Sequence, residues 1–300
     1  MKGDISLFAR EMRKLINHKD MSDVKFVVGE NRRTIFAHRC VLSSRCEVFR
    51  AMFSDQAASG EDNTVPFILS DVDPEIFLAV LEFIYTNCVT LSGKIAVDVL
   101  ASSIEYGLDE LKKLCVEYLI ESLSVTNACY AMHAAVTYGQ DELRESCLKF
   151  IEENTKSVFK TDGFHEMSDE SLSVVLESDR LLLDEMDILS CVKQWALVNS
   201  AVVHKKIGIV AESVISHVRL PLLSAEELKK TEQDNKKEPF VPVAMVSFAW
   251  KYHALRQPEW GNPQTKLRRG TTHRDTHDGL LRWDEQTSKG GKEGWSSLVS

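Results

Sequence analysis

The 300-residue sequence predicts an α+β fold for its first part and an all-α continuation. Three observations carry this. Runs patterned as strands occur only near the start, at 23–28, 34–36 and 65–69, each bounded by turn-forming residues. The stretch Tyr106-Gly107-x-Asp109-Glu110-Leu111-xxx-Cys115 returns 32 residues later as Tyr138-Gly139-x-Asp141-Glu142-Leu143-xxx-Cys147, a duplicated helical hairpin. Glycine (14) and proline (7) are scarce, which leaves long segments free to be helical.

The elements follow in order. Leu7, Phe8, Met12, Leu15 and Ile16 share one stripe of a helix over 5–16, with Arg10, Arg13 and Lys14 opposite, so something must cover that stripe. Residues 23–28, a turn at Gly29-Glu30-Asn31 and residues 34–36 predict a hairpin. A helix over 38–53 buries Val41, Leu42, Phe49, Met52 and Phe53, and the small polar segment 55–63 predicts a loop. Pro66 places the strand 65–69 at a sheet edge. Asp73-Pro74-Glu75 opens a helix: a capping acid, proline at the first helical position, and a carboxylate facing the dipole.

In each repeat a helix ends at glycine, Gly107 or Gly139, and acidic residues start the next. The two hairpins are expected to stack on each other. Thr126 or Asn127 caps the helix between them. Further helices are predicted over 169–177, 187–198, 205–218 and from the capping box Ser224-Ala225-Glu226-Glu227. Residues 232–238 read as a solvated connector and 241–253 as a last helix. Beyond this the apolar period stops, which predicts a flexible tail. The division is therefore 1–122, 123–255 and a tail, 256–300.

Charge and cysteines bound the function. The net charge is −9, with 28 Lys/Arg against 39 Asp/Glu in the first 255 residues and 8 against 6 after them. An acidic body repels phosphate, so nucleic acid is not an expected partner. The basic cluster Lys266, Arg268, Arg269 and Arg274, interleaved with Asp275 and Asp278, reads as solvated or as a contact for an acidic partner. Seven scattered cysteines indicate reduced thiols, hence a cytoplasmic or nuclear location. No apolar stretch is long enough for a membrane span, and no signal core opens the chain.

Catalytic signatures are absent: no P-loop, no GxGxxG after a strand, no HExxH, no GxSxG. No catalytic residue, cofactor or metal is expected. Cys129 and His133 share a helical face without the further ligands zinc requires, so they read as a buried thiol and a histidine bonded to a carbonyl. Cys40 and Cys46 each follow an arginine and are read as packing residues, with redox sensing the other possibility. His273 and His277 receive no role.

Ser22-Asp23-Val24, Phe36-Ala37-His38-Arg39, Leu42, Ser44, Phe49 and Phe53, then Val72-xx-Glu75-Ile76-Phe77 through Leu81-xx-Ile84-Tyr85-Thr86, closely resemble the BTB/POZ domain over residues 8–122. Residues 127–254 look like the BACK domain, on Cys147 to Glu152, Phe164-xx-Met167-Ser168, Glu177-Ser178-Asp179, Val192-xx-Trp195, Arg219-xxx-Leu223 and Trp250-Lys251-Tyr252-His253. The resemblance implies a small β-sheet packed with helices followed by an all-α BACK domain. No kelch propeller, at about 50 residues per blade, fits after His253.

It also implies a homodimer in which the stripe Leu7, Phe8, Met12, Leu15, Ile16 packs on the partner subunit. Folding back on its own chain is the alternative. Asp23 and Arg39 match the charged pocket of that interface. Many such proteins are adaptors of cullin-3 ubiquitin ligases, gripping the cullin near positions matching Phe53, Ala57, Ser59 and Tyr85. The hydrophobic-x-Glu motif is replaced here by Ala57-Ala58-Ser59, with Glu61 only nearby. A non-enzymatic cullin-3 substrate adaptor with an unidentified protein client is expected, and a scaffold or transcriptional cofactor acting without cullin is the second reading.

Overall fold

The computed structural model describes residues 3–59, 62, 65–255, 262–274 and 277. The chain divides into two compact units, Met1–Leu123 and Ser124–Ser300.

In the first unit, α1 (Ile5–Arg13) precedes β1 (Val24–Val28) and β2 (Arg33–Ala37), an antiparallel hairpin pairing Val24 with Ala37 and Val28 with Arg33. Then come α2 (Arg39–Arg45), α3 (Glu47–Ser59), β3 (Phe67–Leu69) and α4 (Pro74–Thr86). β3 joins β1 in parallel, giving the order β2-β1-β3. Pro66, just before β3, thus lies at an edge where no ladder N–H is needed. Val24, Phe26 and Val28 alternate inward from the central strand. Phe26 meets Phe49 and Phe77 at ring-centroid distances of 5.8 and 5.0 Å, and Phe49 stacks on Tyr106 at 4.9 Å. Gly29 turns the hairpin with φ +74°, and a Cβ there would lie 2.9 Å from Pro74 Cδ.

Two expectations differ here. The helix expected over 38–53 is broken at Cys46, which is extended (φ −140°, ψ 120°); its buried thiol donates to the Tyr106 carbonyl oxygen at 3.3 Å. α3 runs on to Ser59, so Ala57, Ala58 and Ser59 are helical and not in a loop. α5 (Ala96–Glu105) and α6 (Asp109–Glu121) complete the unit as the first hairpin of the repeat.

The second unit opens with the other copy, α7 (Ala128–Thr137) and α8 (Asp141–Val158). Gly107 and Gly139 both take positive φ, and both turns close with the same bonds: Leu108 N–H to the Ser103 oxygen at 2.7 Å and Gln140 N–H to the Ala135 oxygen at 2.8 Å. Six-to-one bonding of this kind satisfies the orphan carbonyls of a helix end. α8 kinks at Asn154, whose amide donates to the Phe150 carbonyl. Then follow α9 (Asp162–His165), α10 (Asp169–Glu177), α11 (Glu185–Val203), α12 (Ile207–Val210) and α13 (Glu212–Ile215). Two short helices thus replace the single helix expected over 205–218.

The capping box forms, with Ser224 N–H donating to Glu227 and Glu227 N–H to Ser224 Oγ, and opens α14 (Ala225–Lys237); α15 (Val243–Leu255) is the last long helix. Residues 232–237 are helical and not a connector, because Glu232 accepts from Lys236 one turn on and from the Trp250 indole N–H at 3.2 Å.

The tail also differs from expectation. Residues 262–274 and His277 lie against the helical body, and Arg268 and His277 are 3% and 1% exposed. The cations read as solvated find acids of their own chain: Lys266 pairs with Asp179, Arg268 with Glu185, and Arg274 with Asp184 and Glu227. The rest of the tail lies outside the described residues.

Candidate protein-interaction surface

Asp4 caps α1 by accepting the Ser6 and Leu7 N–H groups at 2.8 and 3.3 Å. The helix is held at its far end by an ion pair between Arg13 and Glu82 of α4 and, just beyond, by reciprocal bonds between Asn17 and Phe36. Its apolar stripe divides accordingly. Met12, Leu15 and Ile16 are half-buried, whereas Ile5, Leu7 and Phe8 are 74%, 46% and 61% exposed. No residue of α1 is fully buried.

Asp23 and Arg39, the residues that match the charged pocket, lie together, with Arg39 Nε donating to the Asp23 carbonyl oxygen at 3.3 Å. Asp23 is exposed, and its carboxylate accepts the Arg39 backbone N–H at 2.7 Å, at the start of α2. The Arg39 guanidinium donates to Gln56 Oε1 at 2.6 Å and lies over the Phe53 ring at 4.7 Å. Gln56, 6% exposed, was not singled out by the sequence reading, since a glutamine on a surface helix carries no local signal.

The side chains of Phe53 and Tyr85 belong to the core: they are 7% and 4% exposed. Phe53 packs on Phe49 and Phe67. The Tyr85 hydroxyl accepts the His38 backbone N–H at 2.8 Å and lies 3.0 Å from its Nδ1, and burial pushes the phenol up to about 12. Only Ala57 and Ser59 of that region are exposed, on the last turn of α3; Glu61 lies outside the described residues.

Among the described residues no group of three or more His, Cys, Asp or Glu is placed to hold a metal ion, and no helix is long and apolar enough to cross a membrane. Burial pushes the Cys115 and Cys147 thiols up to about 12 and Cys129 to about 11, where the reactive thiolate is suppressed. His133 is exposed and meets the Ser168 hydroxyl at 3.2 Å in place of the expected carbonyl. Cys40 is exposed.

Two family models match the chain: the BTB/POZ domain over residues 12–123, and BACK (BTB And C-terminal Kelch) over 128–233. BTB/POZ domain-containing protein 19 of Bos taurus is 42% identical across 92% of this chain and 94% of its own length. The chain belongs to the BTB/POZ domain-containing family. The Homo sapiens protein of the same name is also 42% identical, across 92% and 94%. BTB/POZ domain-containing protein 9 of Drosophila melanogaster is 34% identical across 74% of this chain but only 29% of its own length. BTB and BACK are protein-interaction modules, and no catalytic family is indicated. The BACK match stops at residue 233, whereas the packed body continues through α15, residues 262–274 and His277.

Proposed function

We propose that the chain is a homodimeric adaptor whose BTB domain pairs two copies and engages cullin-3 while the BACK domain presents a protein client. The observation that carries the dimer is the exposure of Ile5, Leu7 and Phe8 on a helix that is capped at its start and held at its far end. Clustered large apolar groups on a capped helix favour burial against a second surface, and a two-fold axis lets the same patch serve both copies. The mechanism is proximity: two joined copies raise the effective concentration of whatever each holds. A reducing compartment, cytoplasmic or nuclear, accords with seven free cysteines, two of them exposed.

Cullin-3 rests on family likeness, and the exposed end of α3 is where the family's motif would stand. That turn offers Ala57 and Ser59, with neither a large apolar knob nor an acid, which favours as a second reading a BTB scaffold or transcriptional cofactor that binds no cullin. Light scattering of the full chain, followed by titration with purified cullin-3, tests both. A dimer that binds at about micromolar affinity supports the adaptor; a dimer that ignores cullin-3 at that concentration leaves the scaffold.

A further inference from the structure

The groove that holds residues 262–274 and His277 reads its occupant in the way a peptide site does. Main-chain recognition comes first: Arg269 and Gly270 donate their N–H groups to the carbonyl oxygens of Asp179 and Leu181 at 2.8 and 2.9 Å, and Thr272 N–H donates to Asp184 Oδ1 at 2.7 Å. Arg219, itself 4% exposed, donates to the Lys266 carbonyl at 2.7 Å.

Side-chain recognition is specific at three positions. The Arg268 guanidinium spreads its donors over Glu185 Oε2 (3.1 Å), the Leu176 oxygen (2.6 Å) and the His217 oxygen (2.8 Å), a fan that an ammonium cannot reproduce. At position 270 a Cβ would fall 2.1 Å from Leu183 N, so only glycine passes. Arg274 then forks between Asp184, at 3.0 and 2.8 Å, and Glu227, at 2.9 and 3.0 Å.

The segment adds almost nothing to the apolar core. Among its described residues the buried side chains are Thr265, Arg268 and His277, all polar, while the preceding helices supply buried apolar residues such as Leu172, Leu176, Ile188, Val192 and Val214. A segment held by hydrogen bonds and charge can leave without removing the hydrophobic term that holds the body together. Glu185 would keep the Arg219 N–H, which it accepts at 2.6 Å.

We propose that this groove is a recognition site for segments of the form Arg-x-Gly-x-x-x-Arg, occupied in cis by residues 268–274, so that a client bearing such a segment binds by displacing them. The acids Asp179, Asp184, Glu185 and Glu227 set the sign of that ligand, a basic peptide, and repel phosphates. The tethered occupant acts at an effective concentration of about millimolar, so a competing segment must itself be held close by the dimer or bind more tightly. The client role rests on the adaptor reading; the groove's selectivity does not.

The test uses the full chain with a protease site substituted at 257–260, cleaved after purification so that both pieces remain present. A fluorescein-labelled peptide of residues 262–277 is added, with anisotropy reporting exchange and circular dichroism reporting helicity. The expected result is exchange with helicity unchanged, and binding at least about tenfold weaker for peptides carrying Arg268→Lys or Gly270→Ala. Collapse of helicity on displacement, failure of excess peptide to exchange, or equal binding of the variant peptides overturns the proposal. A chain that is monomeric or blind to cullin-3 removes the adaptor reading and leaves this measurement standing.

Discussion

Arg268 and Glu185, 83 residues apart in the chain, meet at 3.1 Å with neither side chain accessible to solvent. Removing one partner of a buried pair strands the other charge, at about 3–5 kcal/mol, whereas replacing both with apolar groups is far milder. Arg268→Ala is expected to cost about 3 kcal/mol, the low end of that range, because Glu185 retains the Arg219 N–H and the groove can admit water. The double replacement Arg268→Met with Glu185→Met should recover most of the loss. Urea unfolding measures both, and equal losses for the single and double variants would contradict the pairing.

The same pair shows where sequence legibility stopped. Asp73-Pro74-Glu75, the box Ser224–Glu227 and the glycine turns at Gly107 and Gly139 were readable because each signal and its partner lie within a few residues, and all four form. The break at Cys46 was not readable, since its thiol bond goes to Tyr106, 60 residues away. Nor was the fate of the basic cluster: Asp275 and Asp278 were the visible neighbours, while the acids that pair with it precede it by 47 to 90 residues. Phe53 was legible as a core residue, because its helical spacing puts it on the face with Leu42 and Phe49, and it is buried.

Acid should loosen residues 262–274 and His277 in two steps. Burial holds the His277 imidazole below its ordinary range, and its bonds, Nε2 to the Leu222 oxygen and Nδ1 from Arg274 N–H, fit the neutral ring. A depressed histidine contributes stability above its unfolded value of about 6.5, lost as pH falls through that value toward the folded one. Burial raises the Asp184 and Glu227 carboxyls, but hydrogen bonds from Arg274 outweigh it and hold both below the usual carboxylate range. Their contribution persists down to about pH 4 and fades below it. Limited proteolysis against pH should show both steps, and His277→Gln should lose the upper one alone.

Tyr85 is expected to matter for folding and not for binding. Tyr85→Phe removes the hydroxyl that accepts the buried His38 N–H, and an unsatisfied buried donor costs about 1–3 kcal/mol. The variant should melt earlier yet retain the parent's oligomeric mass and partner affinities. Lost partner binding at a temperature where the variant is still folded would return Tyr85 to the contact surface.

The division of the α1 stripe separates assembly from stability. Leu7 and Phe8 are largely exposed within one chain, so Leu7→Asp with Phe8→Asp should change its folding stability by no more than about 0.5 kcal/mol each. The substitutions also fall in the first turns, where a carboxylate is favourable to the helix dipole, so α1 itself should persist. Leu15 and Ile16 are half-buried against their own unit, and Leu15→Asp should destabilise the chain directly. Light scattering is therefore expected to give the 33.9 kDa monomer for the Leu7/Phe8 variant, whose melt loses its dependence on protein concentration, and an early melt at every concentration for Leu15→Asp. A Leu7/Phe8 variant with the same mass as the parent would mean that the exposed half of the stripe does not join two copies.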